Sequence, residues 1–338
     1  MDEGLSCIPD PGPADGPGRQ AADAGKPLTL RVIEAEPAGK DTRRFRLVSA
    51  GGQRLPPAGA GSHINLLLPG GIIRSYSLLR GEPAPIEYAI AVRRETPGRG
   101  GSAFLHDQLS TGDQIEALPP QNGFPLVETA PHSVLIGGGI GVTPLIAMAS
   151  RLRELGRPLT FHAAFRDEDH ILLADELHSI GRVTIHLDSR DGGPFPIAAA
   201  IASAPADAHL YCCGPAAMID AFIASAREQG RHESVLHHEY FAGARAALQE
   251  GSIIVELART GRTIIVPPGK SILEAVREAG VPASSSCEQG TCGACETKVL
   301  AGVPDHFDAV LSPADRKSGK TMMICCSGAL TERLVLDL

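Results

Sequence analysis

The chain has 338 residues, enough for two or three domains with their own cores, and its 43% hydrophobic and 21% charged residues are ordinary for a globular protein. A net charge of −8 argues against a nucleic-acid partner held by phosphate contacts. No apolar run reaches the length of a membrane span, and the Met-Asp-Glu start has neither the basic nor the apolar region of a signal peptide, so no membrane association and a cytoplasmic location are expected.

Residues 1–26 are rich in Pro, Gly, Ala and Asp and read as a disordered tail, in which Cys7 is a thiol without a role. From 27 to 127 the texture is short β-patterned runs, at 28–33, 44–48, 63–68 and 86–92, separated by Gly and Pro turns. Strands at this spacing predict an antiparallel β-barrel or sandwich, interrupted by one short helix near 102–109. Two stretches carry chemistry. In Arg74-Ser75-Tyr76-Ser77-Leu78, alternation on a strand puts Arg74 and Tyr76 on one face and Ser75 and Ser77 on the other. A guanidinium beside a ring and hydroxyls suits a flat anionic ligand. Gly98-Arg99-Gly100-Gly101-Ser102 runs into a helix, and its exposed N–H groups make a phosphate cradle. Taken singly, the first stretch is more often just a strand and the second usually just a turn.

A Pro-rich connection around 118–120 leads to a buried-strand pattern at 133–136, followed by Gly137-Gly138-Gly139-Ile140-Gly141-Val142-Thr143-Pro144. Thr143 suits a helix cap and Pro144 a first helical position, which predicts a helix to about residue 155. The glycine run lets backbone N–H groups approach a pyrophosphate, although Pro144 stands where a strict G-x-G-x-x-G has its last glycine. Strands at 159–165, 183–187 and 209–212 then alternate with helices at 174–180, 197–201 and 216–228, which predicts an α/β parallel sheet with ligand at the carboxyl ends of its strands. Cys213-Gly214-Pro215 sits at such an end, where a cysteine is also explained as a small buried apolar residue. Asp188 ends the 183–187 strand and suits ribose hydroxyls, favouring NADH, while Arg190 two residues on argues for a 2′-phosphate. The run 235–241 closes the sheet, and 242–250, small and polar, reads as a linker.

The last segment, 251–338, starts with a hairpin at 253–257 and 263–266, continues with a helix capped by Ser271, and has later strands at 298–300, 321–324 and 334–336, a compact α+β unit. Within it Cys287, Cys292 and Cys295 form C-x4-C-x2-C, with Cys325 and Cys326 downstream. That is the spacing of a plant-type [2Fe–2S] centre held by four thiolates. Gly290 and Gly293 allow backbone N–H groups to come close to sulfur. Structural zinc prefers two C-x2-C-like pairs, and disulfides need an oxidising compartment of which the sequence has no sign. On spacing, Cys325 and Cys326 are both open as the fourth ligand.

Together, and in this order, the Arg74–Leu78 motif, the glycine run, Cys213-Gly214-Pro215 and the cysteine set resemble the phthalate dioxygenase reductase family, which includes vanillate demethylase reductases. The resemblance spans nearly all of 28–338. It implies a flavin barrel, a nicotinamide domain and a C-terminal plant-type ferredoxin domain, with cofactors FMN, NADH and [2Fe–2S]; the wider ferredoxin–NADP reductase superfamily carries FAD instead. By this resemblance Arg74, Tyr76 and Ser77 contact FMN, with Ser75 in the same motif. Ala91, Val92 and Arg93, and Gly100, Gly101 and Ser102, match segments holding the ribityl chain and phosphate. Gly139, Gly141 and Thr143 face the NADH pyrophosphate, Cys213 and Gly214 lie near the nicotinamide, and Phe241 covers the flavin ring. The family pattern takes Cys325 as the fourth cluster ligand.

The implied function is that of a monomeric reductase taking hydride from NADH and passing single electrons to a Rieske-type oxygenase. No side chain need act as acid, base or nucleophile, and the histidines are expected to be solvated or packed. The other readings are a reductase serving a cytochrome P450 and a non-enzymatic iron–sulfur sensor.

Overall fold

The computed structural model describes residues 26–95, 100–241, 251–285, 290, 293–308, 310–311 and 313–338. The expected tail up to residue 25, the 242–250 linker, Gly98, Arg99, Cys287 and Cys292 lie outside the described residues.

The first sheet has six antiparallel strands: β1 (Leu28–Pro37), β2 (Thr42–Ser49), β3 (His63–Leu68), β4 (Ile72–Ser77), β5 (Glu87–Arg93) and β6 (Gln114–Gln121), in the order β4-β3-β6-β1-β2-β5. A helix, α1 (Gly101–Asp107), joins β5 to β6. Alternation explains the core: Phe45 and Leu47 of β2 point inward with Leu30, Ile64, Leu66 and Ile90, while the alternating Arg44 and Arg46 point out and pair with Glu34 and Glu87. An isolated bridge between Leu78 and Ile90 joins the continuation of β4 to β5 and curls the sheet into a barrel.

One expectation fails here. Residues 118–120 are not a connection but part of β6, a central strand. The register against β3 shifts between His63 and Asn65, where Leu118 and Gln121 are the partners, so Pro119 and Pro120 occupy a bulge. A bulge asks for no ladder hydrogen bond, which is how proline is accommodated inside a sheet.

The second sheet is parallel, with β7 (Ser133–Gly138), β8 (Leu159–Phe165), β9 (Val183–Leu187), β10 (His209–Gly214) and β11 (Leu236–Tyr240) in the order β11-β10-β7-β8-β9. Its helices are α2 (Val142–Glu154), α3 (Ala174–Ile180), α4 (Asp188–Asp191), α5 (Ile197–Ser203) and α6 (Ala216–Glu228). After β7 the chain winds one way through β8 and β9, then returns to β10 on the other side. The strand order therefore reverses between β7 and β10, which opens a crevice at their carboxyl ends.

Barrel and parallel sheet share one apolar core, in which Ala60, Leu79, Ala91 and Phe124 pack with Leu145, Met148 and Phe161. Across the same boundary Arg44 pairs with Glu176 at 2.6 Å, and the Leu173 amide donates to the Ala38 carbonyl at 2.8 Å.

The C-terminal unit comprises β12 (Ile253–Leu257), β13 (Arg262–Val266), α7 (Ile272–Glu278), β14 (Glu296–Ala301), β15 (Pro304–Asp305), α8 (Pro313–Ser318), β16 (Thr321–Met323), β17 (Gly328–Ala329) and β18 (Arg333–Leu336). Its main sheet runs β13-β12-β18-β14-β16, with β12 and β18 parallel. The two-residue strands β15 and β17 and the short α8 are too brief to leave a periodic signal in the sequence. Ser271 caps α7 as expected: its Oγ accepts from the Glu274 amide at 3.2 Å, and the Glu274 carboxylate accepts from the Ser271 amide at 2.9 Å. Among the described residues no helix is long and apolar enough to cross a membrane.

Ser271→Ala removes one half of this reciprocal pair and is expected to destabilise the C-terminal unit by about 1 kcal/mol, read as a lower thermal midpoint for the loss of its secondary structure.

Candidate functional site

The crevice at the switch point begins where β7 ends. Gly139–Gly141 form one 3-10 turn and α2 follows at Val142. Thr143 is therefore not the cap. It lies inside the first turn, 2% exposed, its hydroxyl donating back to the Ile140 carbonyl at 2.9 Å. Pro144 is the third helical residue, still within the turn whose N–H groups have no intrahelical partner. Gly141 is required by close approach: a Cβ there would overlap the backbone at Cys213 and Gly214, so the turn lies on the end of β10. The crevice encloses about 380 Å³, with Gly138, Gly139 and Pro215 at its floor and Phe165, Phe195 and Asp188 on its walls. Asp188 opens α4 at the end of β9, as the sequence suggests. Arg190 is turned away, its Nε bonded to Asp191 at 2.8 Å and its Nη2 to the Ile185 carbonyl at 3.0 Å. Arg166, which sequence reasoning passes over, lines the crevice instead.

Cys213 is fully buried at the junction of the two halves, and Gly214 abuts Gly138. Burial, and then neighbouring Glu239, push the Cys213 thiol well up, so it is no thiolate. Glu239 is the residue that sequence reasoning misses. It pairs in register with Cys213 across β10 and β11, is buried, and one of its carboxylate oxygens has no hydrogen-bond partner. Burial pushes its pKa up to about 8, so it is protonated at neutral pH. A Glu two residues before Phe241 looks, in sequence, like an ordinary strand position.

The second cleft lies in the seam between β4 and β5, strands at opposite edges of the sheet. Arg74, Ser75, Tyr76 and Ser77 all line it, opposite Ala91 and Arg93. Alternation assigns the two serines to the far face, but β4 is an edge strand and the cleft wraps its open side, so both sets reach it. Ser75 also bonds the buried Asn65, which links the cleft wall to β3. Val92 does not line the cleft. Its side chain is 0% exposed in the barrel core, as alternation between Ala91 and Arg93 requires. Gly100 precedes α1, while Gly101 and Ser102 reach the cleft, and the Arg74 side chain packs across the Gly101 backbone. The Ser102 hydroxyl accepts from the Glu95 amide at 3.1 Å. Ile140, Thr143 and Phe241 close the cleft from the parallel sheet. Thr143 thus faces this cleft and not the crevice at the switch point, the side on which the resemblance sets it. A cation at a helix start, hydroxyls and two rings fit a flat ligand carrying a phosphate, which is what a flavin mononucleotide needs.

Cys295 and Cys325 are 4% and 6% exposed in one core of the C-terminal unit. Cys326 is less buried, and its sulfur contacts the Met323 carbonyl and Ser327 Oγ, each at 3.8 Å. Gly290 has φ +70, and a Cβ there would strike the Cys326 sulfur and Asp308, so its backbone lies tight against both. Two buried sulfurs at the base of a glycine-bearing loop fit a cluster site.

Gly141→Ala is expected to lift the turn off β10 and raise the KM for the nucleotide by on the order of tenfold or more, measured in steady-state turnover. Glu239→Gln tests the buried acid through stability. The unfolded carboxyl ionises near pH 4.5 and the folded one near pH 8, so folding stability falls as pH rises between these values and then levels off. The variant should lose that slope and gain on the parent most at pH 8 and above in denaturation midpoints.

A model of the 2Fe-2S iron-sulfur cluster binding domain matches residues 255–330. Phenoxybenzoate dioxygenase subunit beta of Ectopseudomonas oleovorans is 48% identical over 320 residues, covering 94% of this chain and 99% of that protein. Tetrachlorobenzoquinone reductase of Sphingobium chlorophenolicum is 40% identical over 319 residues, covering 92% and 98%. The solved structure of phthalate dioxygenase reductase, described as a modular structure for electron transfer from pyridine nucleotides to [2Fe–2S], superposes with a TM-score of 0.70 at 36% identity, covering 93% of this chain and 98% of that one. With a nicotinamide-type crevice, a flavin-type cleft and an iron–sulfur domain in the same order, the chain belongs to the phthalate dioxygenase reductase family, NADH-dependent flavin iron–sulfur oxidoreductases of oxygenase systems.

Proposed function

We propose that this chain is the reductase component of a Rieske-type oxygenase system, with 27–127 holding FMN, 128–241 holding NADH, 242–250 as linker and 251–338 holding the [2Fe–2S] cluster. The observation that supports this reading best is the meeting of the two clefts: Arg93 lines both, and Gly139 and Ile140, adjacent in one turn, face one each. Bound at these sites, NADH would supply a hydride, FMN the conversion of an electron pair into single electrons, and the cluster a one-electron outlet.

The chain's own residues supply placement. Arg74, Gly101 and Ser102 would hold the FMN phosphate, with Tyr76, Ser77 and Ala91 along the ring and ribityl chain and Phe241 as the cover. Gly139 and Gly141 would face the pyrophosphate with their backbone. Asp188 would accept the adenosine ribose hydroxyls, and the engagement of Arg190 with Asp191 supports NADH over NADPH. Cys213 and Glu239, both uncharged and buried behind the crevice at the ends of β10 and β11, would place no charge of their own near the nicotinamide. Cys287, Cys292, Cys295 and Cys325 would ligate the cluster, the burial of Cys325 favouring it over Cys326. The protein would act as a cytoplasmic monomer that docks an oxygenase.

A second reading, reduction of a small quinone without a protein acceptor, is favoured by the identity to tetrachlorobenzoquinone reductase. Turnover of a benzoquinone by the purified chain at a rate matching that with an oxygenase acceptor would support it.

The experiment for the main reading is an anaerobic NADH titration followed by visible absorption and low-temperature EPR. Flavin bleaching together with a reduced [2Fe–2S] signal is the expected result; a reducible cluster with no flavin and no response to NADH overturns it. In the same assay Cys292→Ser should keep NADH-to-flavin reduction and lose cytochrome c reduction. A variant as fast as the parent toward cytochrome c would rule out the electron path through the cluster.

A further inference from the structure

The parallel-sheet half of the molecule is acidic, with carboxylates outnumbering Lys and Arg over 128–241, yet its crevice is to take a dinucleotide with two phosphates. The glycine turn offers N–H groups but no full charge. The cations on the crevice walls are Arg166 and two from the other half, Arg93 and Lys40. Lys40 lies in the turn between β1 and β2 and faces the crevice alone, whereas Arg93 is shared with the flavin cleft.

Lys40 is delivered there by a fixed turn. On the barrel side the Ala38 amide donates to Thr42 at 2.9 Å, the Thr42 amide to Gly39 at 3.1 Å, and the Arg94 amide to Asp41 at 2.7 Å. Thr42 pairs with Arg93 across β2 and β5, which sets the two cations side by side at one end of the barrel. On the other side the Leu173 amide donates to Ala38, and a Cβ at Gly39 would overlap Ile171 and Leu172. Asp41 has φ +54, a left-handed conformation that a non-glycine residue holds only where its surroundings over-determine it. The ammonium itself makes no hydrogen bond or ion pair with the described residues. The carboxylate across from it, Asp167, is already engaged by His170 at 2.6 Å.

We propose that Lys40 anchors the dinucleotide from the barrel side, gripping the phosphate bridge of NADH so that the nucleotide is held by both halves of the protein. This rests on the reading of the crevice as the NADH site. A point charge that binds ground state and transition state alike changes KM and leaves kcat in place. The test is steady-state cytochrome c reduction by full-length parent, Lys40→Ala, Lys40→Arg and Lys40→Glu, with NADH and NADPH, at several ionic strengths and with thermal midpoints. Lys40→Ala should raise the KM for NADH on the order of tenfold with kcat within about twofold, Lys40→Glu should raise it further, and Lys40→Arg should restore most of it. Removing the charge should also flatten the rise of KM with salt. An unchanged KM for NADH in Lys40→Ala and Lys40→Glu overturns the proposal, as does an effect seen with NADPH only, which would assign Lys40 to a 2′-phosphate. A matching fall in kcat and thermal midpoint that Lys40→Arg fails to reverse would make the role structural and overturn it too. If the parent shows no saturable response to NADH, it is the crevice reading that falls.

Discussion

The apolar seam between barrel and parallel sheet is the contact on which the rest of the structure depends. Phe124, carried just beyond β6, sits edge-on to Tyr211 of β10 with ring centroids 5.9 Å apart, and Ala60, Leu79 and Ala91 fill the space around Met148 and Leu145. Burial of the Phe, Leu and Met side chains is worth about 1.5–3 kcal/mol each, whereas the partly exposed Arg44–Glu176 pair across the same boundary contributes about 1 kcal/mol or less. Packing therefore joins the halves, and the ion pair adds orientation. Because the seam is apolar and close-packed, the open edge between β4 and β5 is held against the carboxyl end of the parallel sheet. Two clefts then meet at Arg93, which lines both, and at the turn where Gly139 faces one and Ile140 the other.

That placement explains the chemistry of the surrounding groups. Hydride and electron transfer between bound cofactors asks the protein for distance, orientation and dryness, not for a proton shuttle or a nucleophile. Cys213 and Glu239 obey this. Each is ionisable, each is shut away from water, and each is thereby held neutral, so the junction carries no fixed charge of its own. Positive charge enters from the walls instead, from Arg74 in one cleft, Lys40 and Arg166 in the other, and Arg93 in both.

The C-terminal unit solves a different problem. A loop that must wrap a cluster has little apolar surface, so its base is fixed by neighbours: Cys295 and Cys325 sink into a core with Val255, Leu273 and Ile324, and the Ser271–Glu274 box fixes the start of the covering helix. Asp308, buried, accepts from the Val310 and Leu311 amides at 3.0 and 2.7 Å and lies against Gly290.

Much of the fold was legible because local patterns carry it. Period-two runs marked most barrel strands, strand–helix alternation marked the parallel sheet, and the Ser271 cap was read correctly. The failures share one cause, that neighbours change what a residue does. Pro119 and Pro120 look like a break until pairing with β3 leaves them in a bulge of β6; Thr143 looks like a cap until the preceding 3-10 turn displaces the helix start; Ser75 and Ser77 look outward until the cleft wraps their edge strand. The order of motifs, the cysteine spacing and the chemical types in each stretch are legible along the chain, since these are local. That Val92 is core, that Glu239 is buried beside Cys213, and that Lys40 of the barrel faces the crevice at the switch point emerge only on folding, because burial and charge placement arise from contacts between segments distant in the chain.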